Sequence, residues 1–419
     1  MDYSLSLPAR CLASLPPREE QDTQQLLVGT VAPSLHLLAY DDDLQELSLE
    51  ARYDHPTGEV WSLAAHPKND TVVTCGGGCS TAAVAVDFTT TLWKRCHEED
   101  EPRLESVGTV PHGTSGWDTR VGCILWSPLL SSQDAPLAGE DSDMSASLVT
   151  VGWETCSPIS LWDLSASVAV ETWSSTLPAG TTREPPNLSL ALPRRASWDP
   201  HEPTHLLCTQ QRHVMAYDVR CADGVGAIHN AHRYGVTDVD HNQLQEHVVV
   251  TSGLDGVVKF WDLRMHLSSK ERSSPVNRKV IRGGHTHWAT RASYNPFYDQ
   301  LVLSAGTDGI ANLWRVSSCS SAPLLDFDDD EMNNYSGPME KEEMDEWAND
   351  EEDPMEETNN RTEVKPSSND IRVERLECSD TTADVCWSLS DPWMYATLSC
   401  DGTVAVHHVP SKEKYKILL

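Results

Sequence analysis

GHTHWATRASYNPFYDQLVLSAGTDGIANLWRV, residues 284–316, is the stretch that decides the fold. Its second half holds two alternating β-branched and apolar runs on either side of Asp308-Gly309. Asp-Gly between two such runs reads as a hairpin turn, because glycine tolerates the positive φ that the turn requires. Six residues after Asp308, Trp314 ends the second run, and four residues before it stands the hydroxyl of Ser304. The same signs occur in VVVTSGLDGVVKFWDLR (248–264), with Thr251, Asp255 and Trp261. They occur again in YATLSCDGTVAVHHV (395–409), with Thr397, Asp401 and His407.

Upstream of these hairpins and elsewhere lies a further set of short strands. The set is EVWSLAAHP (59–67), GCILWSP (122–128), RASWDP (195–200), VTDVDHN (236–242), RASYNP (291–296) and DVCWSLSDP (384–392). The distance from an anchor in this strand to the later anchor is nearly constant. It is 19 from Trp198 to Tyr217, 21 from Asp240 to Trp261, and 20 from both Tyr294 to Trp314 and Trp387 to His407. Trp126 to Trp162 is 36, and removing the acidic 16-residue stretch 131–146 restores 20. Strand, turn, strand, turn, with His285 in Gly-Gly-His and His232 in Ala-His ahead of the first strand, is the WD40 pattern.

The repeat has a chemical reason. A histidine ring, a strand hydroxyl, a turn aspartate and an indole N–H satisfy one another when buried, and a fully satisfied network fixes register. The sets are His285, Ser304, Asp308, Trp314 and His232, Thr251, Asp255, Trp261. The last copy keeps Thr397 and Asp401, but Cys378 stands in the histidine slot and His407 in the tryptophan slot. These residues are read as structural, because the group recurs and catalysis needs one site.

The expected fold is all-β: a single seven-bladed propeller over residues 1–419. Six blades start from residue 58, and an N-terminal blade lies in 1–50, with QLLVGT (25–30) and LHLLAYD (35–41) as middle strands. KYKILL (414–419) is expected to supply the last outer strand and close the ring. The remainder falls in loops: 97–106, 131–146, 174–194, 266–282 and 318–375. The 14 tryptophans against 4 phenylalanines become a repeat signature. Trp61, Trp126, Trp198 and Trp387 are assigned to first strands, and Trp93, Trp162, Trp261 and Trp314 to third strands.

Charge narrows the function. The chain carries 64 Asp and Glu against 31 Lys and Arg, a formal net charge of −33. That argues against nucleic acid, which is bound mainly through Lys and Arg, and against a bare anionic membrane. No apolar run reaches the roughly 18–20 residues of a membrane helix. The N-terminus has no basic region and its prolines interrupt any apolar core, so no signal peptide is expected. The 12 cysteines have no CxxC pair and read as reduced thiols in the cytosol. Residues 326–357 hold 16 acidic residues and one lysine, a net −15. Within the insertion 318–375 this run, with Asp328, Asp329, Asp330 and Glu331, is expected to be a disordered acidic loop. It is a solvated loop, or a tail for a basic partner with Trp347 as an apolar anchor; the basic run 270–282 is a local counterweight.

No catalytic, cofactor or metal motif stands out. CGGGCS (75–80) lacks the Gly-Lys-Ser/Thr of a phosphate loop, and Cys75 and Cys79 lack partners at zinc spacing. His407 and His408 are adjacent in a strand and face opposite ways. GTSGW (113–117) is no nucleophile elbow. The expectation is a non-enzymatic protein without cofactor. YDVR (217–220) and WDLR (261–264) end in arginine in consecutive blades. They resemble the WDxR motif by which substrate receptors dock to cullin–RING ubiquitin ligases, which would make Arg220 and Arg264 docking contacts.

A closer likeness covers almost the whole chain. LLVGT (26–30), GEVWSL (58–63), the stretch 284–309, DFDDDE (326–331), SDPWMYATLSCDG (390–402) and KYKILL occur in that order. Together they resemble the family of EARP and GARP complex-interacting proteins. The resemblance implies a cytoplasmic adaptor, peripheral to endosomes or the trans-Golgi network, whose partners are subunits of a multisubunit tether. It also implies endosomal recycling and retrograde transport, with membranes reached only through a protein partner. Trp288, Tyr234, Trp117 and Trp153 are the candidate contacts, because they fall in or beside loops ahead of inner strands and interface hot spots favour Trp and Tyr.

Overall fold

A computed structural model gives the fold. It describes residues 1–17, 23–77, 88–98, 101–110, 121–127, 147–153, 159–164, 169–175, 193–221, 224–264, 278–321 and 370–418. The strands form seven antiparallel four-stranded sheets. The first blade spans 9–54, the second 59–110, the third 121–174, the fourth 196–228, the fifth 236–281 and the sixth 289–377. The seventh consists of Thr382–Trp387, Met394–Ser399 and Thr403–His408, with Asp2–Ser4 as its outer strand. Each innermost strand contacts that of the next blade, and Thr382–Trp387 contacts Ala9–Ser14, so the sheets form a closed ring.

There is no single core. Seven apolar clusters lie between successive blades. Leu301, Leu303 and Ala305 pack toward the seventh blade, while Val302 on the opposite face packs with Tyr294, Trp314 and Phe260 of the fifth–sixth interface. Successive residues of a strand point to opposite faces, so a strand between two neighbours is buried on both and reads as a continuous apolar run. Leu301–Gly306 is buried at every position.

Repeat and blade are out of phase by one strand. Ile310–Arg315 and Ile371–Glu377 are neighbours in the sixth sheet, so the acidic insertion connects its third and fourth strands. Residues 371–375, assigned to the insertion, are thus strand, while 322–369, with Asp328, Asp329, Asp330, Glu331 and Trp347, lie outside the described residues.

Other expectations need correction. KYKILL is no closing strand: Ser411–Leu418 is a helix. The carbonyl of Pro410 accepts from the backbone N–H of Glu413 and Lys414, starting the turn. Glu413 is buried against Arg315 at 2.8 Å, and Ile417 packs on the sixth–seventh interface. The outer place on Thr403–His408 is taken by Asp2–Ser4, which pair with Thr403, Val404 and Ala405. The segment 97–106 is not a loop but the hairpin of Phe88–Glu98 with Glu101–Val110. Trp61 is not the counterpart of Trp126: it sits at a bulge early in its strand, and Ala65 is in register with Trp93 through Val72. In the fifth blade the residue in register with Trp261 is His241, not Asp240, which brings the spacing of 21 back to 20.

Candidate protein-binding face

The start of every inner strand and the turn between second and third strands lie at the same end of a blade. Val236 faces Gly253 and Ala289 faces Gly306 across their pairs. The loops ahead of the inner strands and the Asp-Gly turns therefore share one face of the ring. In the fifth, sixth and seventh blades the turn also abuts the loop ahead of the next blade. Gly256 has φ +71°, and a Cβ there would lie 2.7 Å from the carbonyl oxygen of His287.

Buried polar networks hold these loops. His232 Nε2 lies 2.8 Å from Thr251 Oγ1, and its Nδ1 lies 2.8 Å from the Asp255 carboxylate. Trp261 Nε1 donates to Thr251 Oγ1 at 2.8 Å. The carboxylate only accepts, so Nδ1 carries the proton; the Thr251 hydroxyl then donates to Nε2 and accepts from the indole. His285, Ser304, Asp308 and Trp314 repeat the arrangement at 2.8, 3.3 and 2.9 Å. Burial holds His232 below its ordinary pKa despite the Asp255 carboxylate. Burial would raise Asp308, but the hydrogen bonds from His285 and the Thr286 N–H bring it down to about 2. Asp255, despite its burial, is also held below its ordinary value by the hydrogen bond from His232, so a neutral ring on an ionised carboxylate is the stable form of the His232–Asp255 pair.

In the seventh blade, Thr397 Oγ1 meets His407 Nε2 at 3.1 Å, so the ring stands in for an indole. Asp401 stays exposed and accepts from the Thr403 N–H of its own turn at 2.9 Å. His408 faces the other way, 3.0 Å from the hydroxyl of Tyr40.

A third histidine network escaped the sequence reading. His55 Nε2 lies 2.8 Å from Thr74 Oγ1, which accepts from Trp93 Nε1 at 2.8 Å. Its signal was the 19-residue step from histidine to hydroxyl shared with the other two sets. A polar band at the ring's centre was also missed. Arg291 Nε donates to Asp384 at 2.6 Å and its Nη1 lies 3.3 Å from Asp238. Asp238 accepts from the Ala292 N–H and Asp384 from the Leu12 N–H, each in the next blade. All three charges occupy the third position of an inner strand, directly after a bulge.

The candidate contacts separate by environment. Tyr234 is 62% exposed, with the Arg233 guanidinium 5.4 Å from its ring centre. Trp288 is half-buried beside the His287 ring, at 4.6 Å. Trp153 packs its ring edge-on to Trp61 at 5.2 Å, joining the second and third blades. Trp117 lies outside the described residues. Arg220 and Arg264 sit at the opposite end of their blades. Each is held by the aspartate two residues before it: Arg220 Nε to Asp218 at 2.9 Å and Arg264 Nε to Asp262 at 2.9 Å. Their side chains are 62% and 67% exposed.

Cys75 is fully buried, which pushes its thiol up to about 12, and Cys79 lies outside the described residues. Among the described residues there is no group of three or more His, Cys, Asp or Glu arranged to hold a metal ion. Nor is any described helix long and apolar enough to cross a membrane.

Seven sheets in a closed ring, with His–hydroxyl–indole networks under the turns, define a WD40-type β-propeller. Within that class the family model described as EIPR1 beta-propeller matches residues 187–314, the fourth blade, the fifth and most of the sixth. Over its whole length the chain resembles "EARP and GARP complex-interacting protein 1" of Rattus norvegicus, with 28% identity and 98% of that relative covered. It is 26% identical to "EARP-interacting protein 1" of Caenorhabditis elegans, over 99% of this chain and 98% of the relative. It is 25% identical to "WD repeat-containing protein DWA2" of Arabidopsis thaliana, over 97% of this chain and 95% of that one.

Proposed function

We propose that this propeller is a non-catalytic adaptor for a multisubunit vesicle tether of the EARP/GARP type. In this reading it acts in endosomal recycling and endosome-to-Golgi retrograde transport. It is cytoplasmic and reaches endosomes or the trans-Golgi network through its protein partner. The observation that carries the reading is the end-to-end likeness to relatives named for interacting with those complexes. The loop face, with Tyr234 and Trp288, supplies the contacts; the networks of His232, Thr251, Asp255, Trp261 and of His285, Ser304, Asp308, Trp314 keep those loops in place. Affinity purification of the tagged protein with mass spectrometry tests it. Tether subunits are the expected recovery, and cullin adaptor subunits without them would sink the reading.

A second reading has one observation in its favour. Arg220 and Arg264 present matched guanidinium groups in consecutive blades, each braced by its own aspartate and mostly exposed. That arrangement suits docking to a cullin–RING ligase as a substrate receptor. Under this reading Arg220→Ala with Arg264→Ala abolishes recovery of the ligase adaptor and leaves tether recovery unchanged.

A further inference from the structure

The loop face changes character around the ring. In the fourth, fifth and sixth blades three neighbouring elements join into one surface. The Val236 N–H donates to the carbonyl of Gln211 at 2.7 Å, so the turn bearing Arg212 lies against the loop bearing Arg233 and Tyr234. The Leu254 N–H donates to the carbonyl of Gly235 at 2.9 Å, so the next turn lies against that loop too. Gly256 in the same turn abuts His287, beside Trp288. Among the described residues of these loops, the exposed charged side chains are Arg212, Arg233 and Arg282, all cationic. The acids present, Asp255 and Asp308, are turned inward onto His232 and His285. In the seventh blade the corresponding loops expose Asp380 and Asp401 instead.

We infer that this sector is a docking site for an acidic protein segment that also carries an aromatic or large apolar side chain. The net charge of −33 does not prevent it. At physiological salt, charges beyond about 8 Å are largely screened, so the local arginines set the potential that the segment meets. The three guanidinium groups are exposed, Arg212 also donating its Nε to the His232 carbonyl at 3.4 Å, and guanidinium is the group whose planar geometry matches carboxylates. Tyr234, beside Arg233, and the exposed part of Trp288 on the same loops are apolar contacts of the kind interface centres favour. Nucleic acid fits less well, because its affinity grows with the number of phosphates neutralised and three arginines neutralise few. Acidic segments are repelled by the neighbouring Asp380–Asp401 sector of the seventh blade, which directs the segment toward the arginines.

This inference rests on reading the protein as a binding platform, and its test is separable from the capture of tether subunits. The full chain is titrated against a fluorescein-labelled peptide, Glu-Asp-Glu-Trp-Glu-Asp-Leu-Glu, and against its Gln/Asn counterpart, following anisotropy. The acidic peptide is expected to bind at least about tenfold tighter than the amide peptide, and more weakly as salt rises. Arg212→Glu, Arg233→Glu and Arg282→Glu together should abolish the difference, with far-UV circular dichroism unchanged. Arg282→Glu alone and Tyr234→Ala, at exposed side chains, should each weaken binding several-fold and keep the test open should the triple variant misfold. Equal binding of both peptides, affinity unmoved by these variants, or tighter binding of a labelled 12-nucleotide oligo-uridine than of the acidic peptide would each overturn the inference. A protein that still captures tether subunits in that event refutes this site and not the adaptor reading.

Discussion

Replacing Ser304 by alanine removes one oxygen and two hydrogen bonds at a position with no solvent exposure. The indole N–H of Trp314 loses its acceptor outright. His285 Nε2 loses its donor and keeps only Asn312 Nδ2 at 3.4 Å. An orphaned buried polar group costs about 1–3 kcal/mol, so with partial compensation at the histidine the expected loss is about 2–4 kcal/mol. Ser304→Thr should cost less than about 1 kcal/mol, since Thr251 and Thr74 do the same work in other blades. Thr397→Ala is the internal scale: Thr397 meets only His407, at 3.1 Å, so its loss should be about half as large. Urea unfolding followed by tryptophan fluorescence and far-UV circular dichroism reads all three as midpoints at a common slope. A Ser304→Ala midpoint within about 0.5 kcal/mol of the parent, or a Thr397→Ala loss equal to it, would refute the account of the network as a relay.

Two further outcomes follow from ring closure and burial. Removing residues 1–4 deletes the outer strand of the seventh blade and exposes the edge of Thr403–His408, so the thermal midpoint should fall by several degrees; an unchanged midpoint would mean that closure does not need it. His407 is lowered to about 4, by burial first and by the N-terminal ammonium and His408 next. The unfolded chain takes up that proton near pH 6.5 and the folded one does not, so stability present above pH 6.5 is lost as pH falls toward 4. The ring is only half-buried, so solvent screening brings the effect to about 2 kcal/mol. His407→Trp, which keeps a donor for Thr397, should flatten the pH dependence of the urea midpoint across that window, and an identical slope would sink the assignment.

Much of the ring was legible because the same four chemical roles recur at fixed distances. Ser304 and Trp314 could be paired on paper because turn geometry fixes the step of ten positions from hydroxyl to indole. What could not be read lies where the repeat is broken or where a contact crosses blades. Trp61 looked like Trp126 in composition, yet a bulge shifts it out of register. Lys-Tyr-Lys-Ile-Leu alternates well enough to pass for a strand, and only the place already occupied by Asp2–Ser4 and the buried Arg315–Glu413 pair make it a helix. The cationic sector was invisible for a related reason. Arg212, Arg233 and Arg282 are up to 70 residues apart in sequence and come to one face only once the blades are stacked.

Closure by Asp2–Ser4 sets an order of events during synthesis. Asp2–Ser4 find their place beside Thr403–Ala405, which are made about 400 residues later. At about 5–20 residues per second, a ribosome holds the ring open for roughly 20–80 seconds while the blades between are added. Through that interval the opening strand has no sheet to join, and Ala9–Ser14 lacks its neighbour Thr382–Trp387. A chain stopped anywhere before the seventh blade leaves Ala9–Ser14 without that neighbour, an open seam in place of a closed ring.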